Sequence, residues 1–410
     1  MKLGLVVGGG PAPGINGVIS SAAIEGINRG FKVVGFMDGF KFLAAGHRPR
    51  ILNFKISEVS RIHVQGGSLI RTSRVNPVEN QETVSNVLSG LKRLRVGSLM
   101  MIGGEGTLSS AYRLFSAAKG SVQIVHVPKT IDNDLPLPGN MPTFGFETAR
   151  HVGSQLVANL MEDARTTRRW FFVVAMGRLA GHLALGIAKA SGATLALIPE
   201  EFEDGASLNR VCDTLEGAII KRLAQGKDYG VAVIAEGLSE KLNKEDLETL
   251  VPGRRDDQGH LRLAEIGFSE FLKRRVETSL KERGLPILIT DKNVGYELRC
   301  ADPIPFDIEY TRNLGYGAVK FLAAGGSGAT ITLQGGKMAP VGFSKIIDPK
   351  TRKSRVRLVD TRSENYEVAL RYMIRLTRDD FRTQRCVRAL AKAAKMENGI
   401  FRERFGPVAI

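Results

Sequence analysis

The sequence predicts an α/β fold with two parallel-sheet domains, and three observations point there. Leu3 to Val7 is a short apolar run that breaks into Gly8-Gly9-Gly10-Pro11-Ala12-Pro13-Gly14. Ile15, Val18, Ile19, Ala22 and Ala23 then recur at helical spacing until Gly30, so strand, glycine-rich loop and helix follow in order. A second series of buried runs begins near residue 150. Strands alternating with helices imply parallel sheets covered on both faces.

In the first series Lys32 to Phe36 reads as a strand, Ser98 to Ile102 as a strand ending in Gly103-Gly104, and Val122 to Val127 as a strand ending in Pro128-Lys129. In the second, Trp170 to Ala175, Leu195 to Ile198 and Val231 to Ala235 are strands separated by helical stretches such as Leu208 to Arg222. Val251 to His260 is polar and turn-rich and reads as an exposed loop. A last helix is expected over Ala389 to Met396, before a tail with no assigned role.

With 410 residues, 43% of them hydrophobic and 24% charged, the chain can build two or three packed domains, which excludes a disordered protein. A formal charge of +16 favours anionic partners without separating nucleic acid from phosphorylated metabolites. Cys212, Cys300 and Cys386 are far apart, with neither zinc-site spacing nor the density of a disulfide scaffold, which fits a reducing cytoplasm. No apolar run approaches the roughly 20 residues of a membrane helix, and the first residues read as a strand, not as a signal peptide.

Ligands of such sheets bind beyond the carboxyl ends of strands, and four groups of residues stand there. In the Gly8 to Gly14 loop, with Gly9 and Gly10, absent side chains let backbone N–H groups approach phosphate; a tight structural turn explains the same residues about as well. Gly103-Gly104-Glu105-Gly106-Thr107 places a carboxylate among glycines, suited to holding Mg²⁺ or to capping a helix. Lys129-Thr130-Ile131-Asp132-Asn133-Asp134 sets two carboxylates beside a lysine, and Asp132 could take a proton from an alcohol; a plain Asx turn is the bland alternative. The fourth group comprises Arg74, Arg169, Arg178 and Arg299, arginines at strand or loop ends that suit phosphate; in a chain with 58 Lys and Arg, any one of them alone reads as surface charge.

These motifs resemble the phosphofructokinase family. Gly9-Gly10-Pro11-Ala12-Pro13-Gly14-Ile15-Asn16, the Gly-Gly-acid-Gly-Thr loop, Pro128 to Asp134, Met176-Gly177-Arg178, Glu236 in Ala235-Glu236-Gly237, and Gly295-Tyr296-Glu297-Leu298-Arg299 occur in the family's order over residues 1 to about 335. Pro-Ala-Pro-Gly-Ile-Asn, Arg-Thr-Ser-Arg-Val-Asn-Pro and Tyr-Glu-Leu-Arg are similar to the mixed bacterial group that includes pyrophosphate-dependent members. The resemblance implies two Rossmann-like domains with the active site in the cleft between them. It places the donor (ATP and Mg²⁺) domain at 1–147 plus about 300–335, and the fructose 6-phosphate domain at 148–299 plus about 336–410.

It further implies a cytoplasmic 6-phosphofructokinase of glycolysis, a homodimer or homotetramer open to allosteric control, that phosphorylates the 1-hydroxyl of fructose 6-phosphate. By position, Asp132 would be the base, with Arg74 and Lys129 acting on the transferred group. Thr130, Ile131, Asp132, Asp134, Met176, Gly177, Arg178, Glu236, Tyr296, Glu297, Leu298 and Arg299 would hold the sugar phosphate, and Arg169 would complete the neighbouring subunit's site. Gly9, Gly10, Arg74, Gly104, Glu105, Gly106 and Thr107 would bind the donor, with Glu105 on the metal.

Two departures bear on the donor. ATP enzymes carry Gly-Gly-Asp-Gly and pyrophosphate enzymes Gly-Gly-Asp-Asp, whereas this chain has Glu105 and Gly106. A carboxylate at 106 would block the α-phosphate of a nucleotide, so Gly106 favours ATP, with pyrophosphate as the alternative because Lys129 and Ser110 stand against it. Three rivals are weaker. A nucleic-acid-binding protein lacks aromatics interleaved with basic residues, a lipid or nicotinamide-nucleotide kinase lacks the Thr130 to Asp134 and Tyr296 to Arg299 motifs, and an impaired regulatory subunit is suggested by Glu105 alone.

Overall fold

The computed structural model describes residues 1–202, 205–243, 245–246 and 267–410, so the Val251 to His260 segment lies outside the described residues. The chain divides into two compact units, Met1–Ala149 with Tyr296–Arg357 and Arg150–Gly295 with Leu358–Ile410.

The first unit carries an eight-stranded sheet. Its strands are β1 (Lys2–Val7), β2 (Lys32–Phe36), β3 (Ile51–Asn53), β4 (Val96–Gly103), β5 (Gln123–Thr130), β6 (Phe144–Gly145), β11 (Ala329–Gln334) and β12 (Lys337–Gly342). The order is β12-β11-β5-β4-β1-β2-β3, with β6 paired to β5. Pairing is parallel except at the two edges, where β3 and β12 run antiparallel to their neighbours. Side chains alternate between two cores: Leu3, Leu5, Val7, Met100 and Ile102 face one layer, and Val6, Leu99 and Met101 the other. Burial on both faces explains why these strands read as near-continuous apolar runs.

The second unit carries β7 (Trp170–Ala175), β8 (Leu195–Leu197), β9 (Gly230–Ala235) and β10 (Ile289–Val294), all parallel, in the order β10-β7-β9-β8 among the described residues. The helices Leu208–Ala224 and Phe268–Glu282 bury Val211, Leu215, Leu272 and Val276 against Trp170, Phe172 and Ala232. Each unit thus has the α/β architecture expected of it. No described helix is long and apolar enough to cross a membrane.

Three elements differ from the sequence reading. Strand β5 runs on through Pro128, Lys129 and Thr130, because β6 supplies a ladder partner that local sequence does not reveal: Lys129 pairs with Phe144 and Thr130 with Gly145. Residues 336–357 belong to the first unit instead of the second, since β12 forms a hairpin with β11 across Gly335-Gly336, and Tyr296–Arg299, expected in the second domain, belong to the first unit with them. The helix expected over Ala389 to Met396 spans Gln384–Ala393, opened by Thr383, whose side chain caps the Cys386 N–H.

Candidate functional site

In the first unit β5, β4 and β1 are adjacent and parallel, so their carboxyl ends deliver three of the motif loops to one edge of the sheet. The Thr107 side chain wedges between two of them. A Cβ on Gly8 would lie 2.4 Å from its hydroxyl and one on Gly103 2.1 Å, so both positions require glycine for close approach. The Gly9 N–H donates to the Ser73 carbonyl at 2.9 Å, which sets Arg74 beside the glycine loop. Asn16 tethers the same segment further back, donating to the Gly66 carbonyl at 3.0 Å and accepting the Leu69 N–H at 2.8 Å.

Two cations meet these glycines. Lys129 is 4% exposed, and its ammonium donates to the Gly10 carbonyl, 3.4 Å from where a Cβ on Gly9 would stand. The guanidinium of Arg299 lies 2.7 Å from where a Cβ on Gly10 would stand, and 4.7 Å above the Tyr296 ring. Its pKa is lowered, first by burial and then by the repulsion of Arg74, while Asp132 pulls the other way. The Arg299 Nε is buried with no hydrogen-bond partner among the described residues. Cations crowded together and partly desolvated around glycine backbone make a receptor for a polyanion.

Asp132 is half-buried just past the end of β5, and its N–H bonds the Thr130 hydroxyl at 3.0 Å. Asn133 follows with φ +57°, a left-handed conformation that asparagine tolerates. Thr143 secures this turn, its hydroxyl donating to the Thr130 carbonyl at 2.7 Å and its N–H to Asn133 Oδ1 at 3.0 Å. Ile131 and Asp134 are buried beside it.

Glu105 opens the helix Glu105–Ala118 and is half-buried, with Ser109 donating to it at 3.5 Å. No cluster of three or more His, Cys, Asp or Glu residues forms among the described residues. A single carboxylate still fits Mg²⁺, which takes one or two protein oxygens and completes its shell with phosphate and water. Gly106 is exposed, and a Cβ there would meet nothing within 4 Å. Ser110 is turned back on its own helix, donating to the Gly106 carbonyl at 2.8 Å.

In the second unit β10, β7 and β9 are likewise adjacent and parallel, and their ends carry Gly295, Met176 to Arg178, and Glu236. Glu236, 7% exposed, accepts the Gly177 N–H at 3.1 Å and the Arg178 N–H at 2.9 Å with one oxygen, so part of its role is to hold this turn. Gly237 packs so closely that a Cβ would stand 2.0 Å from the Arg178 carbonyl. A second carboxylate, Glu200, accepts the Gly181 N–H and the Val359 N–H, each at 2.9 Å, and burial raises its pKa. The side chain of Arg178 remains exposed, and that of Met176 half-buried.

Tyr296, Glu297, Leu298 and Arg299 form one short helical turn of the first unit, with Leu298 buried and Tyr296 and Glu297 exposed. One expected residue is not gathered with the others of its unit. Arg169 precedes β7, whereas Met176 follows it, so a six-residue strand about 20 Å long separates them. Its Nε is buried and has no hydrogen-bond partner among the described residues.

Sequence reasoning passed over three residues that shape these loops: Thr143, Glu200 and His126. The fully buried His126 ring donates from Nε2 to the Gly103 carbonyl at 2.9 Å and accepts from the Thr330 hydroxyl at 3.2 Å, fixing the end of β4. Burial pushes its pKa down to about 3, so the ring is neutral. Its one signal was a polar residue inside an apolar strand.

The phosphofructokinase family profile matches residues 2–322. A pyrophosphate–fructose 6-phosphate 1-phosphotransferase of Thermotoga maritima is 53% identical over 98% of this chain and 98% of its own. An enzyme of the same name from Naegleria fowleri is 48% identical over 98% of this chain and 94% of its own. Among solved structures, a pyrophosphate-dependent phosphofructokinase from Marinobacter aquaeolei superposes with a TM-score of 0.69 at 16% identity, covering 96% of this chain and 91% of that one, a likeness of fold. Glycine loops, Thr-Ile-Asp-Asn-Asp turn and Met-Gly-Arg turn therefore belong to one known design, and the chain is a member of the phosphofructokinase family, phosphotransferases that act on an alcohol group.

Proposed function

We propose that this protein transfers a phosphoryl group from pyrophosphate to the 1-hydroxyl of fructose 6-phosphate, giving fructose 1,6-bisphosphate and phosphate. The observation that carries the donor assignment is Lys129, a buried ammonium held at the Gly9-Gly10 backbone. A compact donor with all its charge near the transferred group gains most from a fixed cation there. The names of the relatives at 53% and 48% identity support the same donor. The expectation of ATP, drawn from Gly106, gives way to this reading. One observation keeps ATP as the second reading: the open space around Gly106, which leaves room for a longer donor.

In this proposal Asp132 accepts the proton of the attacking hydroxyl, since an alcohol becomes a competent nucleophile only as that proton leaves. Arg74 and Lys129 oppose the charge that spreads over the transferring phosphoryl oxygens, and Arg299, expected on the sugar phosphate, is moved to the same task in this proposal because its guanidinium stands at Gly10 and is repelled by Arg74. Gly9, Gly10, Gly104 and Thr107 shape the donor loops. Glu105 would hold Mg²⁺, which supplies charge neutralisation to the donor oxygens when bound. Met176, Gly177, Arg178 and Glu236 keep their assignment to the sugar phosphate, as do Thr130, Ile131, Asp134, Tyr296, Glu297 and Leu298. Arg169 is assigned to a neighbouring subunit of a homo-oligomer, a role supported by its place at the amino end of β7. The family resemblance carries with it a cytoplasmic location and a step in glycolysis.

The test is an assay of purified protein with fructose 6-phosphate and Mg²⁺, comparing pyrophosphate and ATP. A higher kcat/KM with pyrophosphate is expected; a higher value with ATP would restore the second reading. Asp132→Asn should lower turnover by about 10²-fold or more, the usual scale for a lost general base. Near-normal turnover in that variant would remove Asp132 from the role.

A further inference from the structure

Arg357 is the last residue of the first unit and lies beyond residue 322, where the family profile ends. In Arg352-Lys353-Ser354-Arg355-Val356-Arg357 nothing local distinguishes it from its neighbours, yet Arg352 and Arg355 are exposed and Arg357 is half-buried. Its Nε donates to the Asn133 carbonyl at 2.9 Å, its Nη1 donates to the Met141 carbonyl at 2.9 Å, and its Nη2 donates to Asn133 Oδ1. The backbone N–H of Arg357 adds a fourth bond, to the Asp134 carbonyl at 2.7 Å.

These acceptors lie on both arms of the excursion that leaves the sheet after Thr130 and returns at Phe144. The turn has left the β5 ladder, and left-handed Asn133 cannot continue a regular pattern, so its inward carbonyls need donors from elsewhere. A guanidinium meets that need because its planar fork fixes several N–H directions at once, which a lysine ammonium does not. Burial lowers the pKa of Arg357, and the nearby Asp134 opposes that shift, so its charge is held inside the turn rather than in solvent.

We propose that Arg357 is a positioning residue for phosphoryl transfer: it clamps the turn that follows Asp132 and so keeps the Asp132 carboxylate in the orientation that proton removal requires. The inference rests on the reading of Asp132 as the base, and it assigns a role in catalysis to a segment outside the family match. Without the guanidinium, Asn133 and the Met141 carbonyl lose their outer donors, while the backbone N–H of residue 357 still reaches the Asp134 carbonyl and Thr143 still holds the inner side, so the turn loosens without unfolding.

The experiment compares full-length wild type, Arg357→Ala and Arg357→Lys. Misplacing a catalytic group by about 1 Å can cost about 10²-fold, so both variants should lose about 10- to 100-fold in kcat while KM for each substrate stays within about threefold. Millimolar guanidinium should restore part of the turnover of Arg357→Ala and leave wild type unchanged. Amide hydrogen exchange should quicken over residues 131–143 in Arg357→Ala, with β1 and β4 as protected as in wild type. Wild-type kcat in both variants would overturn the proposal. So would unchanged exchange over 131–143, or a matched loss of protection across the whole unit without guanidinium rescue. If wild type itself transfers nothing from either donor, the functional reading falls, and the exchange pattern alone then decides whether Arg357 holds the turn.

Discussion

The two sets of strand ends solve the same problem by opposite means. In the first unit, loops approach one another because side chains are missing at Gly8 and Gly103, where Thr107 packs, and at Gly9 and Gly10, which are met by two cations, Lys129 buried and Arg299 partly so. In the second unit, buried carboxylates take up backbone N–H groups, Glu236 those of Gly177 and Arg178 and Glu200 that of Gly181 just beyond, and the Arg178 side chain is left exposed. The contrast separates two requirements of phosphate chemistry. In the proposed function, charge that must be met during transfer is fixed in place beforehand by Lys129 and Arg299, whereas Arg178, assigned to the sugar phosphate, stands exposed on a braced turn.

Three substitutions break or sharpen this contrast, and the largest effect belongs to the fixed cation. Lys129→Met should lower kcat/KM for pyrophosphate by about 10²- to 10³-fold, the scale for losing one preorganised charge partner, with KM for fructose 6-phosphate little changed. Should the sugar phosphate suffer equally, the division of labour between the two sets of loops would be wrong.

Glu236→Ala strips the second-unit turn of an acceptor shared by two N–H groups. Leaving such groups buried and unpaired costs about 1–3 kcal/mol, which denaturant titration would read as a lower midpoint. The KM for fructose 6-phosphate should rise about tenfold, the factor that 1.4 kcal/mol gives, with donor KM unchanged. A rise confined to the donor would place Glu236 with the other loops.

An effect on stability alone is expected at the end of β4, as a pH dependence. The folded protein keeps His126 neutral until about pH 3, whereas in the unfolded chain the ring takes a proton near its ordinary value of 6.5. The unfolded state therefore binds more protons between those limits, and stability falls as pH drops below 6.5, by about 2 kcal/mol at pH 5 from this group. His126→Gln retains a donor for Gly103 and an acceptor for Thr330, so its stability should change less between pH 7 and pH 5. Equal pH slopes for both proteins, measured by urea unfolding, would show that the ring is not what titrates.

Much of the first-unit site was legible because its motifs are contiguous. A glycine run after an apolar strand and before a helix announces a strand end, and Gly8 to Gly14 and Gly103 to Thr107 stand where that pattern puts them. Lys129 was legible as a charge but not as a buried one, because the burial depends on β6 extending the ladder past Pro128. Asn16, Glu200 and Arg357 act on residues far away in the chain, and the bond from Arg357 to Asn133 spans 224 positions. No periodicity records such a contact.

The sequence by itself determined the α/β class, the series of parallel strands and the residues at their carboxyl ends, since hydrophobic runs and glycine punctuation are local consequences of burial and backbone freedom. Only the tertiary structure decided which ends are neighbours, through the orders β5-β4-β1 and β10-β7-β9. It alone also decided that Glu236 braces a turn, that Arg169 stands at the far end of its strand from Met176, and that Arg357 closes over Asn133. The physical reason is that buried polar groups must find partners wherever the fold brings donors and acceptors together, and that pairing is a property of three-dimensional packing rather than of spacing along the chain.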